Sequence, residues 1–171
     1  MQLKRYLPLF VLLAAACGGS STQPSNSGSG SGSGAGSGSA AFSATIDGVA
    51  FNATSVTVTL SSTKPPYLGL SAADAGFNLF SFAMGPASGS FGVGTYEVGT
   101  GDKLGNNGNF VLPGGSTIWT AVGNRGSGQV TITAFSTATK TVSGTFNFVL
   151  VSGNGSTKTV TNGSFNTTYT P

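Results

Sequence analysis

The chain has no histidine, a single cysteine, and charge on only 6% of its residues. Each shortage removes a class of chemistry. Without histidine there is no Ser-His-Asp or Cys-His nucleophile, and no imidazole to hold zinc, copper or haem. Without a second cysteine there is no disulfide within the chain, so packing and backbone hydrogen bonds alone must hold the fold. Charged residues usually make up about 25% of a chain. Here glycine, serine, threonine and asparagine take their place, so neutral hydroxyls and amides must keep the surface wet. Beyond the N-terminal segment, Lys64, Lys103, Arg125, Lys140 and Lys158 nearly balance Asp47, Asp74, Glu97 and Asp102. These cations are scattered, whereas binding a phosphate backbone takes a cluster, so nucleic acid is not an expected partner.

The first residues have a layout of their own. Lys4 and Arg5 precede an apolar run, LPLFVLLAAA at residues 7–16, which ends in three alanines directly before Cys17. A basic start, a short apolar middle and small residues at the end describe an export signal. Ten residues fall well short of the roughly 20 that span a bilayer as a helix. The run Leu13-Ala14-Ala15-Ala16-Cys17 resembles the bacterial lipobox, whose cysteine is acylated and becomes the new amino terminus. It departs from that motif at Ala14, where leucine is preferred. The resemblance implies a lipoprotein anchored through fatty acyl chains, and Gly18 in place of aspartate after the cysteine implies the outer membrane. Residues 18–40, GGSSTQPSNSGSGSGSGAGSGSA, contain no charge and no aromatic. Such a composition cannot bury enough apolar surface to offset ordering, and a flexible tether is expected. The chain thus divides into a leader at 1–16, a lipidated Cys17 with its linker at 17–41, and a folded domain at 42–171.

In that domain the apolar residues recur with period two, as in Val56-Thr57-Val58-Thr59-Leu60 and Val130-Thr131-Ile132-Thr133. This is the alternation of strands with one buried face, and no helix is expected. Many short strands divided by turn residues predict an all-β fold, an antiparallel β-sandwich or, alternatively, a flattened β-barrel. The pattern predicts separate strands at 49–52 and 56–60, a strand at 77–84, a loop at 99–109, and strands at 156–161 and 164–169. Asp47-Gly48 and Asn162-Gly163 predict two-residue hairpins, since both residue types tolerate positive φ. The expected core is Phe42, Ile46, Phe51, Val56, Val58, Leu68, Leu70, Phe77, Leu79, Tyr96, Ile118, Val130, Ile132, Phe146, Phe148, Leu150 and Phe165. Phe80 and Phe82 alternate out of phase with Leu79. FSATIDGVAF, GTYEVG, GQVTIT, VSGTFNF and TNGSF, spread over residues 42–169, resemble a family of uncharacterised bacterial cell-envelope lipoproteins with a single all-β domain. That resemblance implies fold and location and no activity.

Few residues offer chemistry. A glycosidase needs two carboxyls about 5 to 10 Å apart, and with Asp47 serving a turn, Glu97 and an aspartate are the remaining pair. No enzyme, cofactor or metal is expected. The oxygen-rich stretch around Asp102, Asn106, Asn107 and Asn109 is the one weak candidate for a hard cation, since such ions take oxygen ligands. Gly92–Gly101 lacks the lysine and helix of a phosphate loop. Four Asn-X-Ser/Thr matches, at Asn52, Asn154, Asn162 and Asn166, follow from composition alone. Trp119 is the weak candidate for ligand binding: alternation puts it on the face opposite Ile118 and Val122, and if that face is wet the indole is a platform for a sugar ring. The expected partners are therefore a membrane, through the anchor, and a glycan or envelope protein, with pairing through exposed strand edges as the alternative.

Overall fold

A computed structural model describes residues 41–99, 102, 104–115 and 117–171. The leader, Cys17 and the Gly/Ser stretch lie outside the described residues, and so do Thr100, Gly101, Lys103 and Ser116. The described chain forms β1 (Ala41–Ile46), β2 (Val49–Leu60), β3 (Leu68–Asp74), β4 (Leu79–Met84), β5 (Gly94–Gly99), β6 (Asn107–Val111), β7 (Ile118–Ala121), β8 (Ser127–Ser136), β9 (Thr141–Ser152) and β10 (Thr157–Thr168). All pairings between these strands are antiparallel, and among the described residues there is no helix.

Of the two architectures expected, the sandwich and its alternative, the barrel, the chain forms a closed barrel. β10 bonds to both β1 and β9, which closes the ring β10-β1-β2-β3-β4-β6-β7-β9. β5 and β8 prolong it. Val151 of β9 pairs with Thr157 of β10 on one side and Thr120 of β7 on the other. β8 then takes the β7 side of β9 from Val149 to Thr141. β7 and β8 therefore follow one another along one edge of β9, and β6 and β5 follow one another on the next rank. The result is an up-and-down meander of eight ranks in chain order, two of them interrupted. Short connections between sequential neighbours favour this topology. Register shifts at Ser43/Thr45, Ala53/Ser55, Ile132/Ala134 and Val160/Gly163 bend the long strands enough to curl the sheet shut.

Those shifts correct several expectations. The strands predicted at 49–52 and 56–60 are one, β2, kinked near Thr54, and those at 156–161 and 164–169 are one, β10. Asn162-Gly163 is no hairpin. Asn162 adopts φ 52° inside the bulge, and Gly163 is buried where any Cβ would strike the Phe146 ring. Asp47-Gly48 is the hairpin expected, with φ of 50° and 82°. Part of the predicted 99–109 loop is β6.

One wall of phenylalanines fills the barrel. Phe42, Phe51, Phe80, Phe82, Phe110, Phe146, Phe148 and Phe165 are all buried. Phe146 stacks on Phe42 at 5.0 Å and on Phe80 at 5.3 Å between centroids. Ring pairs of this kind add about 0.5–1.5 kcal/mol beyond the area they bury. The expected core is right for most members, but three of them are outside: Phe77 is 80% exposed, Ile118 53% and Leu79 39%. Val56 and Tyr96 are only partly buried. Phe80 and Phe82, out of phase with Leu79, are the inward pair of β4, and the phase of that strand is set by its hairpin. Asp74 Oδ1 accepts the Gly76 and Asn78 N–H groups, both at 2.9 Å, and Phe77 N–H donates to the Asp74 carbonyl. This turn ends before Leu79 and leaves Phe77 at φ 60°.

Candidate functional site

The centre of the barrel is packed with rings, which leaves the outer surface for function. Its most regular feature follows from register. Thr95 of β5 pairs with Thr131 of β8, Thr131 with Thr145 of β9, Thr145 with Ser164 of β10, Ser164 with Ser43 of β1, and Ser43 with Asn52 of β2. Directly paired residues share a face, so six uncharged polar side chains form one row across six strands. Along the strands the same face continues: Gln129 and Thr133 on β8, Ser143 and Asn147 on β9, Asn166 on β10, Thr45 on β1. Neighbouring strands lie about 4.8 Å apart, and successive outward positions along one strand about 6.7 Å apart.

Cross-strand bonds hold this wall in order. Thr95 and Thr131 hydroxyls are 3.2 Å apart, as are those of Ser43 and Ser164. Ser143 Oγ donates to Asn166 Oδ1 at 2.9 Å, and Gln129 Nε2 donates to Glu97 Oε1 at 3.2 Å. Among the described residues, Glu97 is the one charged side chain on the outer face of β5, β8, β9, β10 and β1; Lys158 of β10 turns to the barrel mouth. With its interior apolar and this wall polar, the barrel is the inverse of one that spans lipid.

Two open grooves, of about 690 and 650 Å³, adjoin the β4–β5 connection. The larger is lined by Glu97, Asp102 and Asn106, so of the two aspartates left to pair with Glu97, Asp74 and Asp102, it is Asp102 that lines the same hollow. Both are engaged. Glu97 takes the Gln129 amide, while Asp102 Oδ1 accepts the Leu104 N–H at 3.0 Å and Oδ2 the Asn106 N–H at 2.6 Å. Asn106 is buried and spans a split in the sheet: its Oδ1 accepts the Gly85 N–H, and its Nδ2 donates to the Glu97 carbonyl, each at 2.9 Å. Asn107 and Asn109 continue into β6, where Asn109 Nδ2 donates to Asn107 Oδ1. The loop singled out for a hard cation thus uses Asp102 and Asn106 to tie β4 to β5. Among the described residues no three His, Cys, Asp or Glu side chains gather.

Trp119 does face away from Ile118 and Val122, and that face is the barrel mouth. It is half-buried against Phe110, with 6.2 Å between centroids. Its Nε1 donates to Ser156 Oγ at 3.0 Å, and Lys158 Nζ lies 4.8 Å from the indole centroid. Lys158 also pairs with Asp47 Oδ2 at 2.9 Å. One face of the indole is therefore occupied by a cation, a contact worth about 0.5–1 kcal/mol at an exposed site. The Asp47 carboxyl is held below its ordinary value of 3.8, first by the Thr159 N–H and then by the Lys158 ammonium.

The family described as a domain of unknown function, DUF6252, matches residues 38–168. The chain belongs to that family. No curated protein and no solved structure matched it. The DUF6252 match runs from just before β1 to the end of β10, so it takes in the whole closed barrel. Alternating threonines are legible on single strands, as in Val130-Thr131-Ile132-Thr133, but the row is not, because the pairing that aligns Thr95, Thr131, Thr145, Ser164 and Ser43 joins residues far apart in the chain.

Proposed function

We propose that this chain is an exported lipoprotein, anchored by acyl chains on Cys17 to the bacterial outer membrane, whose barrel binds neutral polysaccharide on its hydroxyl wall without catalysis. The leader and the lipobox-like run before Cys17 support the anchor. The observation that carries the binding reading is the six-residue uncharged row from Thr95 to Asn52. A surface of hydroxyls and amides at repeating spacings offers many weak donors and acceptors and no charge to select an ionic partner. Each neutral hydrogen bond contributes about 0.5–1.5 kcal/mol, so affinity must come from a repeating ligand that spans many of them. A long glycan has that property, and a small metabolite does not.

Affinity electrophoresis of the folded chain tests this reading. Gels cast with neutral glucans should retard it, and gels with an anionic polysaccharide should not. Unchanged mobility across a broad set of neutral glycans would remove the binding reading. Palmitate labelling in cells, abolished by Cys17→Ser, tests the anchor independently. The alternative, assembly through strand edges, has little to work with. The eight strands of the closed ring leave no free edge, and of the two strands that prolong it, β5 has its outer edge partly capped where Asn106 Nδ2 donates to the Glu97 carbonyl.

A further inference from the structure

At the end of the barrel that carries the β3–β4 and β6–β7 turns, the outer surface of β4, β6 and β7 has the opposite character to the hydroxyl row. Leu79 of β4 pairs with Val111 of β6, and Val111 with Ile118 of β7, so these three share the outer face. Leu79 and Ile118 are the exposed members. At the adjoining turns, Leu112 is 42% and Phe77 80% exposed. Single exposed apolar residues need no explanation, but a contiguous group does. In the ring, β4 and β6 lie across the barrel from β10 and β1, so the apolar row is on the side away from the Ser43–Ser164 part of the wall.

Phe77 is the most unusual member. A bulky side chain at φ 60° is a steric outlier, and its ring is in water as well. The hairpin nonetheless fixes it there through the Asp74 carboxylate and its two N–H donors. Conformations of this kind persist where surrounding structure over-determines them, and they concentrate at sites with a use.

We infer that Phe77, Leu79, Val111, Leu112 and Ile118 form an apolar rim that rests in the acyl boundary of a lipid bilayer and turns the hydroxyl wall away from it. This rests on the proposed anchor, which sets the occupant. With Cys17 acylated, a bilayer is always within reach, at a local concentration no soluble partner matches. The chain outside the described residues is long enough: the 23 residues from 18 to 40 span at most roughly 75–80 Å when fully extended. The longest strands have 12 residues, and tilted as in a small barrel they stand roughly 30 Å tall. The chain enters β1 at the end of the barrel away from the β3–β4 and β6–β7 turns, and a contour longer than the barrel is tall allows the far end to come down to the headgroups. The rim itself offers aliphatic and aromatic carbon with no charged side chain among its five members, which suits acyl chains and gives a protein partner no polar group to recognise. Trp119 and Lys158, at the same end, are residue types that settle at headgroup depth.

The test uses the full lipidated chain in vesicles whose acyl chains carry bromine. Phe77→Trp in a Trp119→Phe background should be quenched several-fold more than Thr145→Trp in the same background. The wild type supplies a second reading without substitution, because Trp119 is its one tryptophan and adjoins Ile118. Its quenching should fall when Phe77→Gly is introduced and stay when Thr145→Arg is. Equal quenching at positions 77 and 145 would overturn the inference, as would emission at 77 that responds to protein density and not to bromine, which would mark a second copy as the occupant. The anchor is judged separately, by the mass of the Cys17 peptide. If that cysteine carries no acyl chains, the anchor reading fails, and quenching at position 77 in chain added to the same vesicles still decides the rim.

Discussion

The two sides of this barrel are built from the same kind of strand and end in different solvents. On the β8–β9–β10–β1 side most outward positions hold a hydroxyl or amide, Ala41, Ala134, Val149 and Val151 excepted, and cross-strand bonds link several of them. On the β4–β6–β7 side the outward positions at one end hold leucine, valine and isoleucine, and a strained phenylalanine is held beside them. The inward positions of both sides meet in one aromatic core. A shared interior with divergent exteriors means that stability and surface chemistry can be altered separately, and the comparison can be broken on either side.

The largest effect is expected from the shared interior. Phe80 is fully buried and contacts Phe42, Phe51, Phe82, Phe146 and Phe148. Phe80→Ala should cost about 3–5 kcal/mol in urea denaturation, and binding on both sides should weaken with it. A loss below about 1 kcal/mol would mean the two walls do not share a core.

Next comes the hydroxyl wall alone. Thr131→Arg with Thr145→Arg places two adjacent cations in the row and removes two hydroxyls. Retention by neutral glucan should fall roughly tenfold or more, since two neutral hydrogen bonds are worth about 1–3 kcal/mol together. Stability should move less, by roughly 1 kcal/mol for like charges set directly opposite. The apolar rim should be untouched, as bromine quenching of Trp119 would show.

Phe77→Gly sharpens the other side. Relief of the left-handed conformation is worth about 1–2 kcal/mol and the greater chain entropy of glycine returns about 0.5–1. The midpoint of denaturation should stay level or rise slightly although an aromatic ring is lost. A fall above 1 kcal/mol would show that Phe77 packs on the barrel, and the rim would then have to be redrawn.

The smallest effect concerns the barrel mouth. Because the Asp47 carboxyl is depressed in the folded state, its contribution is fully present above the unfolded value near 3.8 and is lost as pH falls through the lower folded one. Asp47→Asn should lower stability modestly at pH 7, and the difference from wild type should close as pH falls below 3.8 and through the lower folded value. A pH-independent difference would place the effect in the turn and not in the Lys158 pair.

Much of this could be read from the sequence, and the limits have physical causes. Alternation placed Phe42, Val58, Val130, Ile132, Phe146 and Phe148 inside, because a strand with one dry face writes that fact locally. The phase of β4 could not be read the same way, since Leu79-Phe80-Ser81-Phe82 has apolar residues at both parities, and the Asp74 turn decides between them. Asn162-Gly163 carries the chemistry of a hairpin, yet the neighbouring strand continues past it, so the positive φ is used for a bulge. Asn106 looked like one oxygen among several in a loop, and its role appears only when β4 and β5 are seen to part around it. The hydroxyl row was composed of visible threonines whose alignment depends on non-local register. Barrel closure likewise depends on β10 finding β1, which no local pattern encodes.

The account depends most on the claim that two parts of one barrel surface, the apolar rim and the hydroxyl row, face different media. Spin labels at Leu79→Cys and Thr145→Cys, in the lipidated chain on vesicles, measure that directly through collision with oxygen and with a water-soluble nickel chelate. Position 79 should favour oxygen, as in acyl chains, and position 145 the chelate, as in water. Equal access of the chelate to both positions would contradict it.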